Sequence, residues 1–289
     1  MMAEIRSDRT FVDARGVTIH YSVWARNQPR GVVQLLHGLG EHRHRYRQLA
    51  EVLVAAGYSV WADDHRGHGE TGMAQWRGDA SRLGRLGPGG MRATIEAVRQ
   101  FGEIARDANP RIPFILLGHS WGSLLAQILL NRQPEAYDGV VLSGSAYRTF
   151  TDMNGGDLNA RHRALGDPQY EWISRDRAVV EGAAKDPLMF AATALKLFGL
   201  PDTLRLLGRP ARGLGRHGDV PMLLQVGSDD AFGGEGSVAK LADAYAQRGG
   251  LTDVTSIVYP GARHEVYNET NRQEVYADLI AWLTERFPG

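Results

Sequence analysis

Apolar positions along the chain follow two rhythms that take turns. Short continuous runs rich in branched residues, Gly31 to Leu36, Tyr58 to Ala62, Ile112 to Leu117, Gly139 to Ser143, Val220 to Val226 and Thr252 to Tyr259, have the pattern of strands buried on both faces. Between them apolar residues recur at a 3, 4 spacing, as on one face of a helix. Leu49, Ala50, Leu53 and Val54 form one such stripe, ending at Gly57; Ile95, Val98, Phe101 and Ile104 form a second, in a helix that starts at Pro88-Gly89-Gly90 and runs to about Asp107. Leu124, Leu125, Ile128 and Leu129 mark a third, Glu235 to Gln247 a fourth, and Val275, Leu279, Ile280, Trp282 and Leu283 a fifth, in a helix over about 271–286. Val17 to Trp24 alternates instead, and with a partner around Thr10 to Asp13 it predicts an antiparallel edge hairpin turned at Arg15-Gly16.

Strand alternating with helix predicts an α/β fold: a mostly parallel eight-stranded sheet with helices on both faces. The rhythm stops between about Ser145 and His217. That block holds Asn154-Gly155-Gly156, a helical stretch from Asp186 through Leu197 and an exit rich in glycine and arginine. It predicts a helical lid, 145–217, inserted into a core made of 1–144 and 218–289. Residues 73–90 read as loop.

The strand ending at Leu117 runs into Gly118-His119-Ser120-Trp121-Gly122 and then directly into a helix. A G-x-S-x-G at a strand-to-helix turn is the context of a nucleophile elbow, in which the serine is held exposed at a helix N-terminus and the glycines let strand and helix approach closely. A second glycine-rich turn, His37-Gly38-Leu39-Gly40, follows the strand ending at Leu36, and its backbone N–H groups are free to face a ligand. The N–H groups of Leu39 and Trp121 are therefore the candidate oxyanion donors, with His37, Gly38 and His119 as candidate substrate contacts. Strand carboxyl ends in an open α/β sheet converge on one crevice. That brings Ser120 together with an acid after the next-to-last strand, Asp229 or Asp230, and with His264 after the last one, as nucleophile, orienting acid and general base.

Composition narrows the remaining choices. The chain has 289 residues, 33 basic and 33 acidic side chains and no cysteine. A net charge of zero leaves no field to favour nucleic acid, and the missing thiols exclude disulfides, thiolate metal sites and cysteine nucleophiles. No metal or other cofactor is expected, since no second cluster of ligands accompanies the histidines of 42–44. His42-Arg43-His44-Arg45-Tyr46-Arg47 reads as the solvated entry and outer face of the helix that follows, and the charged loop Asp63 to Gly72 as rigid scaffold. The opening residues lack the apolar core of a signal peptide and no apolar run reaches 18 residues, so a cytoplasmic location is the expectation.

HGLGEH, DHRGHG, GHSWG, GSDD and ARHEVYNE, in this order, resemble the monoglyceride lipase and lysophospholipase branch of the α/β-hydrolases. The likeness spans nearly the whole chain, and Ile173 to Asp176 with Asp186-Pro187-Leu188 resembles that family's lid. It implies an α/β-hydrolase fold, the triad Ser120, Asp230 and His264, and the oxyanion donors Leu39 and Trp121. It also implies a cofactor-free esterase acting through an acyl-enzyme on a small-molecule or lipid ester, monoacylglycerol or lysophospholipid first, with at most transient membrane contact through the lid. Trp121-Gly122-Ser123 departs from the family's usual Met-Gly-Gly, and the indole narrows the acyl pocket beside the nucleophile.

Overall fold

The computed structural model describes residues 5–289. Met1 to Glu4, within the polar opening segment, lie outside the described residues. Eight strands form one sheet: β1 (Ile5–Val12), β2 (Thr18–Ala25), β3 (Val32–Leu36), β4 (Ser59–Asp63), β5 (Phe114–His119), β6 (Gly139–Ser143), β7 (Met222–Gly227) and β8 (Val254–Tyr259). Their order is β1-β2-β4-β3-β5-β6-β7-β8; β1, β2 and β4 pair antiparallel, and every other pairing is parallel. The edge hairpin is thus longer than the expected Thr10 to Asp13, because β1 stays in register with β2 along its whole length.

Burial on both faces shows best in β5, where Phe114 and Leu116 enter one core and Ile115 and Leu117 the other. Eight helices are described: α1 (Arg47–Ala55), α2 (Gly69–Gln75), α3 (Gly90–Asp107), α4 (Trp121–Arg132), α5 (Arg177–Lys185), α6 (Ala194–Leu204), α7 (Gly234–Asp243) and α8 (Arg272–Arg286). Helices α3, α4 and α7 pack on the first core, α1 and α8 on the second. Nearly every residue of α4 is buried, as befits a helix apolar all round and enclosed by sheet and neighbours. None of the described helices is long and apolar enough to cross a membrane.

Three sequence expectations need correction. Residues 73–90 are not all loop, since α2 and a short 3-10 turn at Ala80–Arg82 occupy part of them. The helix expected over Asp186 to Leu197 is non-helical from 186 to 193 and only its end belongs to a helix, α6, while α5 ends just before it at Lys185. Pro187 forces the residue before it into extended backbone, and Asp186 adopts ψ 118° as the C-cap of α5. The polar run 42–47 is also not solvated except at Arg47. Arg43, His42 and Tyr46 are buried, because each charge meets a partner: Arg43 pairs with Asp64 and Glu70, Arg45 with Glu41 and Glu265, and His42 with Asp186.

Behind the sheet's carboxyl edge the loop after β4 is fixed by Arg66. This fully buried guanidinium donates to Asp13 Oδ2 at 2.7 Å, to the Leu86 carbonyl at 3.0 Å and to the Pro88 carbonyl at 2.8 Å. Asp13 in turn accepts from the N–H groups of Arg15 and Val17. Replacing Asp13 by Ala should cost about 3–5 kcal/mol in denaturant unfolding, because it strands a buried cation; a loss below about 1 kcal/mol would show that water reaches Arg66.

Candidate active site

Ser120 lies between β5 and α4 with φ 51° and ψ −122°, a conformation strained for any residue with a Cβ. The turn is possible because its neighbours are bare. A Cβ on Gly118 would lie 2.6 Å from the Gly122 carbonyl oxygen, and one on Gly122 only 2.3 Å from that of Leu36. Strand, helix and the adjoining strand β3 therefore meet backbone to backbone. Ser120 is 8% exposed, at the N-terminus of α4.

Of the two acids, Asp230 faces the imidazole. His264 Nδ1 is 2.9 Å from Asp230 Oδ1, whereas the half-exposed Asp229 accepts from His162 and Arg161 of the segment between β6 and β7. Burial alone would push His264 down, but the Asp230 carboxylate outweighs it, with Glu265 and Glu41 adding to the effect, so the ring holds its proton above the ordinary value of 6.5. With Nδ1–H given to Asp230, His264 Nε2 is buried and has no hydrogen-bond partner. It does not bond Ser120 in this arrangement; it is an unspent base, as the resting state of such sites often shows. His119, its ring centroid 4.7 Å from that of His264, is driven well below the ordinary histidine value by burial and by the positive charge of His264 and Arg45.

The turn after β3 completes the frame. Gly38 N–H donates to Glu41 Oε1 at 2.5 Å, and Ser120 N–H to the Ser143 carbonyl at 3.0 Å. By contrast the N–H groups of Leu39 and Trp121 donate to no acceptor among the described residues. His37 has both ring nitrogens occupied, donating from Nδ1 to the Gly38 carbonyl and accepting at Nε2 from His65 N–H. It therefore shapes the turn and has no polar atom left for a substrate, and the Gly38 N–H is likewise taken. Sequence reasoning missed what holds this turn to the histidine loop. Glu41, Arg45 and Glu265 form a buried carboxylate–guanidinium–carboxylate chain running from Gly38 to the residue after His264. Glu41, four residues before Arg45, was the one local signal; Glu265, 220 residues away, left none.

The segment between β6 and β7 covers the site. Phe190 N–H donates to the Gly40 carbonyl at 3.0 Å, the Trp172 ring lies 4.6 Å from that of His264, and the Phe198 ring lies tilted 5.4 Å from that of Trp121. Phe198 also lines a cavity of about 600 Å³ together with Trp76, Leu83, Leu86 and Leu197 and the charged Arg85, Lys196 and Asp202.

The family model described as Serine aminopeptidase, S33 matches residues 27–271. The chain is 33% identical to the monoacylglycerol lipase of Mycolicibacterium smegmatis over 98% of its own length and 99% of the relative's. It is 27% identical to the human monoglyceride lipase, over 95% and 89% respectively. Among solved structures, a thermostable carboxyl esterase from Bacillus coagulans superposes with a TM-score of 0.81 at 24% identity, covering 99% of this chain and 100% of the other, a likeness of fold.

The Asp230–His264 pair can be read directly by titrating the imidazole in an NMR experiment. The wild-type midpoint should lie above 6.5, and Asp230→Asn should lower it because burial then acts against one fewer carboxylate. A midpoint that Asp230→Asn leaves in place would show that Asp230 does not charge-stabilise the ring.

Proposed function

The chain belongs to the serine aminopeptidase family of α/β-hydrolases, and on that footing we propose that it is a carboxylic ester hydrolase, a monoacylglycerol lipase, with Ser120 as nucleophile. The observation that carries the residue assignment is the strained Ser120 turn beside two unspent N–H groups, with a buried imidazole whose Nδ1 is committed to Asp230. In this reading Ser120 Oγ attacks the ester carbonyl carbon while His264 Nε2 takes its proton. Leu39 and Trp121 N–H hold the oxyanion, and His264 returns the proton to the departing alcohol. Water, deprotonated by the same nitrogen, then cleaves the acyl-enzyme.

An ester fits better than a peptide with a free amino terminus. The buried carboxylates beside the site, Glu41 and Glu265, both pair with Arg45, so neither is free to receive an α-ammonium. Lysophospholipid is the neighbouring substrate class. The segment 145–217 would serve as a lid, since its Phe190, Phe198 and Trp172 contact Gly40, Trp121 and His264 of the candidate site. A cytoplasmic location, with membrane contact limited to the lid, belongs to the same reading.

Two substitutions test it. Ser120→Ala should lower turnover of a monoacylglycerol by about a millionfold, and His264→Ala should do nearly the same without adding to it; retention of most activity would remove Ser120 from the role.

A further inference from the structure

Besides His264 Nε2, three buried nitrogens near the nucleophile have no partner among the described residues: His65 Nε2, His68 Nε2 and Trp121 Nε1. Their residues are 1%, 0% and 3% exposed, and leaving such groups unpaired is costly. They belong to one cluster of rings. Trp121 lies 5.5 Å from His65, edge-on, and 5.0 Å from His68, while His37 of the oxyanion turn stacks 4.0 Å from His65 and lies 5.4 Å from His68.

The hydrogen on each imidazole is placed by what its other nitrogen touches. His65 Nδ1 donates to Asp63 Oδ2 at 2.9 Å, and His68 Nδ1 donates to the Arg66 carbonyl at 3.0 Å. Each Nε2 therefore presents a lone pair, whereas the indole of Trp121 can only donate. Burial keeps His68 uncharged, its pKa lowered to about 3. The cluster thus offers two acceptors and one donor, with no charge on His68, next to Ser120, the residue that would attack the substrate.

We propose that His65, His68 and Trp121 form a diol subsite for the alcohol half of the substrate. Two vicinal hydroxyls would donate to the two imidazole lone pairs, and one of their oxygens would accept from the indole, satisfying all three nitrogens. The aromatic residues Phe190, 5.2 Å from His68, and Phe198, 5.4 Å from Trp121, close the cluster from the covering segment and are what the alcohol would displace. The subsite rests on the ester-hydrolase reading and narrows it. A glyceryl monoester supplies two free hydroxyls, whereas a lysophospholipid supplies one hydroxyl and an anionic phosphodiester, which two imidazole lone pairs repel.

The test compares glyceryl monobutyrate with propyl butyrate, which keeps the acyl group and the three-carbon alcohol but lacks both hydroxyls. In the wild-type protein kcat/KM should favour the glyceryl ester by at least about tenfold, since the propyl ester leaves buried polar groups unpaired. Trp121→Phe, which keeps the ring and removes the donor, should cut that ratio about tenfold, with thermal unfolding confirming that the variant is folded. His68→Phe, if folded, should also cut it. Equal rates on the two esters in the wild type, or a ratio unmoved by Trp121→Phe, would overturn the subsite and assign the three nitrogens to a structural water. Hydrolysis of neither ester would instead count against the ester-hydrolase reading itself.

Discussion

The close approach of Gly122 to the carbonyl groups of Leu36 and His37 is the constraint on which the rest of the structure depends. A side chain there would lie 2.3 Å from one oxygen and 2.5 Å from the other. Because none is present, the first turn of α4 seats directly on the end of β3, and two turns more than 80 residues apart in sequence share one wall. The strain at Ser120 is the cost of that seating. Its consequence is that the N–H groups of Leu39 and Trp121 are both left without acceptors at the same edge of the sheet.

Charge then fixes what backbone packing brings together. Isolated charges are expensive to bury, yet this protein buries several, and those at the site bridge segments distant in sequence. Glu41, Arg45 and Glu265 tie the turn after β3 to the loop bearing His264, Arg66 ties the loop after β4 to Asp13, and Asp230 holds His264. Loops at the carboxyl edge of the sheet are thereby held in one geometry without a metal ligand cluster among the described residues. The covering segment adds aromatic rings, backbone bonds such as Phe190 to Gly40 and Glu265 to Ile173, and ion pairs to the core, Asp186 with His42, Glu171 with Arg263 and Arg175 with Glu269.

Most of the sheet was legible because burial on both faces imposes a simple pattern, as in Phe114 to Leu117, and because glycine marks the turns. Ser120 was legible for the same reason, since its motif falls where a strand must become a helix. The choice between Asp229 and Asp230 was not available from the residues themselves; resemblance pointed to Asp230, and the imidazole lies against it. The polar run 42–47 was misread because a charged residue looks solvated until its partner is known, and Asp64, Glu70, Glu265 and Asp186 are all distant in sequence. The helix expected from Asp186 was misplaced because Leu188, Met189 and Phe190 form an apolar run in non-helical chain after Pro187, and a short apolar run does not by itself distinguish a helix face from irregular chain.

The account holds that one hydroxyl, that of Ser120, is activated by the geometry of these two turns and His264. Treating the intact protein with a fluorophosphonate and mapping the adduct by mass spectrometry tests this most directly. The adduct should fall on Ser120 alone and be lost when His264 is replaced by alanine. A protein that remains unmodified, or that carries the adduct on another residue, would contradict it.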